Sequence, residues 1–166
     1  MVKNECTFNY KMEQVLKSFV DLETEKQWHK GADLTEILET GAEEDCATET
    51  RHVHSKFPWP FTDRDWLFRR KIFKSYLGDP TQSLVLTQSC KHQKYPEKKD
   101  PVRAEIFLQG HLFKDLGNGT TKLTMVSQAD VKITGMIGMA EKKMPEGQYK
   151  FFEEWIKGLE KIYGKK

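Results

Sequence analysis

What this chain lacks narrows its class first. Its 166 residues include three cysteines, Cys6, Cys46 and Cys90, with no C-x-x-C pair. An odd, widely spaced set fits reduced thiols in a cytoplasmic protein better than a disulfide framework. No apolar run reaches signal-peptide or transmembrane length, so a membrane would be met from the water side. Neither sign of charge dominates: 27 Lys+Arg against 25 Asp+Glu give a formal +2, which gives no support for a nucleic-acid partner. The lysine pairs Lys98-Lys99, Lys142-Lys143 and Lys165-Lys166 read as solvated surface, with a membrane-docking patch as the alternative. A glycine-rich phosphate loop, a G-x-S-x-G elbow and a paired-carboxylate motif are all absent, so no catalytic residue and no cofactor are assigned. His52-Val-His54 places two imidazoles on one strand face but has no third ligand at matching spacing, so no metal is expected. Cys90 near His92 lacks any thiol-protease signature. At this length the chain reads as one domain over residues 1–166, large enough to bury a core or a cavity. Oligomeric state is not legible.

What is present concentrates in residues 56–70, Lys-Phe-Pro-Trp-Pro-Phe-Thr-Asp-Arg-Asp-Trp-Leu-Phe-Arg-Arg. Two prolines fix an entry turn, and an alternating run follows. Side chains on a strand switch faces at every residue. Arg64, Trp66, Phe68 and Arg70 therefore share one face, and Asp65, Leu67, Arg69 and Lys71 the other. Two arginines among aromatics on one face suggest a buried site for an anionic head group.

Along the rest of the chain, residues 7–11 read as a short strand. Met12, Val15, Leu16 and Phe19 repeat at i, i+3, i+4, i+7 as an amphipathic helix does. A second short helix is expected over 22–29, capped by Asp21 and stopped by Gly31. Strands follow at 34–40, 48–55, 65–77 and 83–90, with 91–101 as a loop. Residues 102–113 alternate, with Val102, Ala104, Ile106 and Leu108 on one side. Asn118-Gly119 supplies a tight turn before a last strand at 120–131. From Pro145-Glu146 a helix is expected, carrying Phe152, Trp155, Ile156, Leu159, Ile162 and Tyr163 as a broad apolar stripe. The order predicts an α+β fold in which a curled antiparallel sheet wraps one long C-terminal helix and leaves a hollow between them.

Several of these segments, taken in order, resemble the START domain, the steroidogenic acute regulatory protein-related lipid-binding family. They are Leu22-Glu-Thr-Glu-Lys-Gln-Trp28-His, the Pro-rich approach to Arg64-Asp65-Trp66, Tyr95-Pro96 running on to Val102-Arg103, and residues 121–132 with Asp130 before a Gly-containing turn. The resemblance spans nearly the whole chain. It implies a helix-grip fold with an internal lipid tunnel, no cofactor, and carriage or sensing of one lipid. It also implies that Arg64 contacts phosphate, as the matching arginine does in phosphatidylcholine-binding members. The chain departs from the family pattern in three places. An early helix and two strands are missing, which implies either a shortened chain or a smaller, more open sheet. Gly138 stands where the family has Pro, with a short segment on to Pro145. The acid expected to pair with Arg70 falls, by counting back from Arg64, on Arg51, with Glu49 two residues away.

The proposed lipid site comprises Arg64, Trp66, Phe68 and Arg70, with Ile106, Leu108, Leu123, Met125 and Phe152 as apolar lining. Burying an acyl chain gains about 0.8 kcal/mol per CH₂ in a protein or a bilayer alike, so the head group must supply discrimination. A guanidinium holds phosphate oxygens in bidentate geometry, which favours phospholipid over a sterol-sized lipid. Arg64 has an alternative role in a salt bridge to Asp63, Asp65 or another strand's acid, and Arg70 in a structural ion pair. Trp66 and Phe68 line the tunnel or serve as plain core, and the apolar lining equally fits a solid interior. The expected partners are thus a phospholipid or sterol-like lipid and, transiently, a membrane surface reached through a mobile segment at 135–145. The rival readings are a helix-grip enzyme drawing on Asp130, Glu105 or His111, and a lipid-sensing regulatory module.

Overall fold

The structure, a computed structural model, describes residues 1–31, 34–57, 61–133 and 137–166, with the backbone alone at Leu34, residues 137–146 and Gln148. The expected entry turn at Pro58-Trp59-Pro60 and the expected mobile contact at Gly135-Met136 lie outside the described residues, as do the side chains of Ile137 to Met139.

Among the described residues eight strands form one sheet: β1 (Val2–Phe8), β2 (Leu34–Glu43), β3 (Cys46–Ser55), β4 (Arg64–Phe73), β5 (Gln82–Ser89), β6 (Val102–Arg103), β7 (Glu105–Asp115) and β8 (Thr121–Asp130). Their order is β1-β8-β7-β5-β4-β3-β2, every neighbour antiparallel, while β6 runs parallel to the start of β4. Among the described residues there are three α-helices, α1 (Met12–Val20), α2 (Leu22–Glu25) and α3 (Ile137–Tyr163), and a short 3-10 helix at Tyr76–Gly78. This is the expected α+β layout of an antiparallel sheet with a long C-terminal helix.

Local chemistry explains the element boundaries. Asp21 ends α1 and caps α2, accepting a hydrogen bond from the Thr24 N–H at 2.9 Å. The β7–β8 turn holds Gly117, Asn118 and Gly119 at φ of 76°, 48° and 79°, the left-handed conformations for which Gly and Asn are suited. Two element starts differ most from the sequence expectation, while smaller shifts end α2 at Glu25 and β4 at Phe73. β1 begins at Val2 because it pairs with β8 from Val2↔Ser127 to Phe8↔Thr121. α3 begins at Ile137, ahead of the expected first turn at Pro145.

A third difference changes the face of a side chain. Between Ile106↔Ala129 and Leu108↔Gln128 the β7–β8 register shifts, and Phe107 is the extra residue of a bulge. Every residue after it changes phase. His111 and Phe113 join the buried face, and Leu108, expected beside Ile106, lies 53% exposed on the other.

The packed core sits at one end of the inner face. Phe8, Ile72, Val85, Phe113 and Leu123 from the sheet meet Val15, Leu16 and Phe19 of α1, Trp28, and Trp155 and Leu159 of α3. Trp28 and Trp155 stack with ring centroids 5.2 Å apart and planes 5° off parallel. Ser18 anchors both indoles: its carbonyl accepts from Trp28 Nε1 at 2.8 Å and its hydroxyl from Trp155 Nε1 at 2.7 Å. α3 approaches Trp28 at Gly158, where a Cβ would lie 2.1 Å from the Trp28 Cβ. No described helix is long and apolar enough to cross a membrane.

Candidate functional site

The register aligns a polar row across the inner face. Glu49 of β3 pairs with Arg70 of β4, Arg70 with Thr87 of β5, Thr87 with Gln109 of β7, and Gln109 with Ser127 of β8. Arg51, two residues from Glu49, faces the same way, as does Glu25 from α2. The acid paired with Arg70 is therefore Glu49.

Four charges close on one another here. Arg51, fully buried, donates to Glu25 and to the Val20 carbonyl, and lies 2.7 Å from Glu49 Oε1 through Nε. Arg70 Nη1 sits 3.5 Å from Glu49 and 3.9 Å from Glu25. The Arg70 guanidinium also lies over the Phe19 and Phe68 rings at 4.7 and 5.1 Å. Two arginines and two glutamates leave the cluster neutral. Burial works to raise the Glu25 carboxyl, but the hydrogen bond from His29 and the charges of Arg70 and Arg51 outweigh it and hold it at about 2. Burial and Arg51 push Arg70 below the ordinary arginine value, opposed by Glu25 and Glu49.

His111 flanks this cluster with 1% of its surface exposed, its ring 4.4 Å from that of Phe19. Burial, with a smaller contribution from Arg70, lowers it to about 3, so the imidazole is neutral at neutral pH. Five polar atoms in this patch, Glu49 Oε1, Arg51 Nε, Arg70 Nε, Thr87 Oγ1 and His111 Nδ1, are buried without a hydrogen-bond partner among the described residues, and the ion contact of Glu49 Oε1 with Arg51 Nε leaves the last three. They come from three adjacent strands.

The expected lining residues fall into separate zones. Leu123 and Phe152 belong to the packed core beneath the polar row. Met125, at 5% exposure, pairs with His111. Phe68 and Ile106 are buried, and Trp66 is half-buried, toward the other end of the face. Leu108 is outside.

Arg64 is buried at 3% exposure, but main chain occupies its donors. Nε donates to the Val131 carbonyl at 2.6 Å, Nη1 to Thr62 and the Asp63 carbonyl, and Nη2 to the Lys132 carbonyl at 3.3 Å. The guanidinium thus ties the entry of β4 to the exit of β8, and no pair of N–H groups is left for a bidentate anion.

Outside the sheet, the loop at 91–101 is strapped over β3 and β4. Tyr95 stacks on His52 at 3.7 Å, and Asp65 receives Arg103 at 2.6 Å and His52 at 3.1 Å. Burial lowers His52 and outweighs the opposing pull of Asp65. His54 pairs with Asp63 at 3.3 Å, so the two histidines of His52-Val-His54 each serve a different carboxylate. Among the described residues no group of three or more His, Cys, Asp or Glu is arranged to hold a metal. Glu105 and Asp130 are bridged by Lys132 at the surface, apart from His111 on the inner face.

Sequence reasoning missed Glu25, Glu49, Arg51 and Thr87 as site residues, and weighed His111 only as an enzyme's acid or base. A signal was present in the inward positions of β5, where Ser83 and Thr87 are 1% and 2% exposed and flank Val85. Polar residues on the buried phase of a strand mark a place where the interior is not simply apolar.

Comparison with known proteins places this geometry. The START domain-containing protein 10 of Mus musculus and that of Homo sapiens are each 28% identical over 114 residues. That match covers 68% of this chain and 36% of theirs, so the chain spans about a third of the curated relatives' length. The crystal structure of human STARD10 superposes with a TM-score of 0.82 at 21% identity, over 96% of this chain and 64% of that one. Human StAR-related lipid transfer protein 5 gives 0.81 at 13% identity, covering 97% and 76%. The 18 kDa protein CC1736 from Caulobacter crescentus gives 0.67 at 11%, covering 99% and 100%. Residues 5–162 match the START domain model, and the chain belongs to that family.

Proposed function

We propose that the chain binds one lipid against the inner face of the sheet, beneath α3, and carries it without chemical change. The buried polar group of that lipid is an uncharged hydroxyl or carbonyl. One observation carries this reading: Arg70 Nε, Thr87 Oγ1 and His111 Nδ1, on three neighbouring strands, are buried without partners beside a charge cluster that sums to zero. An unpaired buried polar atom costs about 1–3 kcal/mol, so a guest that bonds to these atoms recovers free energy a bilayer cannot offer it. The apolar part of the guest is roughly indifferent between protein and bilayer. A phosphate would bring a net charge that the neutral cluster does not balance, and Arg64 would have to release the carbonyls of Val131 and Lys132 to meet it. The geometry therefore favours a hydroxyl-bearing, sterol-sized lipid over a phospholipid. Carriage is supported by family membership and by the lipid-transfer name of the protein 5 relative.

The test offers the delipidated protein vesicles containing a monohydroxy sterol, a diacylglycerol or phosphatidylcholine, and counts bound lipid by native mass spectrometry. A one-to-one complex with a hydroxyl lipid is expected, weakened about 10-fold or more by Thr87→Val or His111→Phe and little changed by Arg64→Met. Loading of phosphatidylcholine alone, lost in Arg64→Met, would replace this reading with the phospholipid one. No lipid at all would remove the carrier function. Vesicle-to-vesicle transfer separates a carrier from a sensor that holds its cargo.

A further inference from the structure

The outer face of the sheet carries apolar side chains where an antiparallel sheet with one wet face carries polar ones. On β5 the polarity is inverted, with Ser83 and Thr87 buried inward while Leu84 and Leu86 face out, half-buried. Leu84 pairs with Leu112 and Leu86 with Gly110 on β7, and Gly110 pairs with Val126 on β8. Leu108, thrown outward by the bulge, extends the patch. The core residues of α1 and α3 pack on the inner face, and the loop at 91–101 covers β3 and β4 further along.

We propose that this face is a docking site for an amphipathic helix with acidic margins. Shape and charge argue for that occupant. Three strands, β5 to β8, span about 10 Å, the diameter of a helix, and the stretch from Leu108 to Leu112 spans about 13 Å, some two and a half helical turns. Gly110 leaves a hollow at the centre, bordered by Leu86, whose Cδ2 lies 3.6 Å from where a Cβ would be. A hollow at the centre receives a projecting side chain, which an amphipathic helix supplies. The long sides of the patch are basic: Arg69 and Lys71 on β4, and Lys122 and Lys3 on β8 and β1. Lys114 stands beyond Leu112. Their carboxylate partners are Glu43 for Arg69 and Lys71, Glu5 for Lys122 and Lys3, and more distantly Asp79 for Lys114, so five cations meet three acids. The Leu108 end is closed by Glu105 and Asp130, both held by Lys132. A second copy docking by two-fold symmetry would set one basic margin against another.

The probe is a stapled helix of about 14 residues, with leucines at i, i+3, i+4 and i+7 and glutamates beside them. Its fluorescence anisotropy is followed on addition of the whole chain. Saturable binding is expected, weakening at high salt and at least 10-fold tighter than that of the same helix with lysines for glutamates. Gly110→Val fills the hollow with a residue suited to a strand, and is expected to lose 10-fold or more in affinity without loss of thermal stability. Lys71→Glu with Lys114→Glu is expected to reverse the preference between the two helices. Equal binding of both helices, or binding indifferent to Gly110→Val, overturns the proposal. So does the absence of helix binding, whether or not the wild-type chain instead self-associates or adsorbs to phosphatidylserine vesicles through this patch. Lipid loading is read separately, so failure here leaves the inner-face reading standing.

Discussion

His111 lies against Phe19 beside Arg70, where burial and the Arg70 charge oppose a positive charge on its ring more than Glu25 favours it. The unfolded chain takes up that proton near pH 6.5, and the folded chain only near pH 3. Stability from this residue is therefore complete above pH 6.5 and is lost as pH falls toward 3, at up to about 1.4 kcal/mol per pH unit. Glu25, at about 2 against an ordinary 4.5, contributes fully above pH 4.5 and loses its share as pH falls toward 2. The urea midpoint should thus decline from pH 6.5 downward and more steeply below 4.5. In His111→Gln the decline between 6.5 and 4.5 should shrink to the share left by His52, which burial also lowers, and an unchanged profile would remove His111 as a source. None of this was legible from spacing alone. Counting back from Arg64 put Arg51 opposite Arg70, whereas the pairing is Glu49↔Arg70 and Arg51↔Phe68. Antiparallel register depends on the path of the β3–β4 connection, which residue counting does not supply.

At the scale of elements, α3 is held by one close approach. A methyl group at Gly158 would meet the Cβ of Trp28, an atom fixed by its own backbone, so the helix itself must move. Gly158→Ala gains helix propensity yet should destabilise the fold by about 1–3 kcal/mol. It should also disturb the Trp28–Trp155 stack, visible as a loss of near-ultraviolet circular dichroism. A gain in stability would show that the contact relaxes freely. The helix was readable because Phe152, Trp155, Ile156 and Leu159 repeat at its period. Its first turns were not, since residues 137–144 carry no matching stripe. The bulge at Phe107 was hidden for a different reason. Residues 102–109 alternate whether or not a residue is inserted, and only the partner strand reveals that the phase has slipped.

For the molecule as a whole, the two faces of the sheet are assigned different work in the two proposals. α+β class and order of elements followed from alternation and turn residues, because these are local; the break at Ala104 that divides the expected strand over 102–113 into β6 and β7 did not. Which polar residues face inward depends on how separate strands align, and so did not. The neutrality of the four-charge cluster has a further consequence. On the function proposed above, cargo without charge would enter an interior whose own charges already cancel, so loading would neither take up nor expel counter-ions. Occupancy by a monohydroxy sterol should accordingly be flat from low to high ionic strength, while a phosphate-bearing guest would titrate out as salt rises. The same change in salt that releases a helix from the outer face would leave the interior undisturbed, so the two faces answer to different solutes.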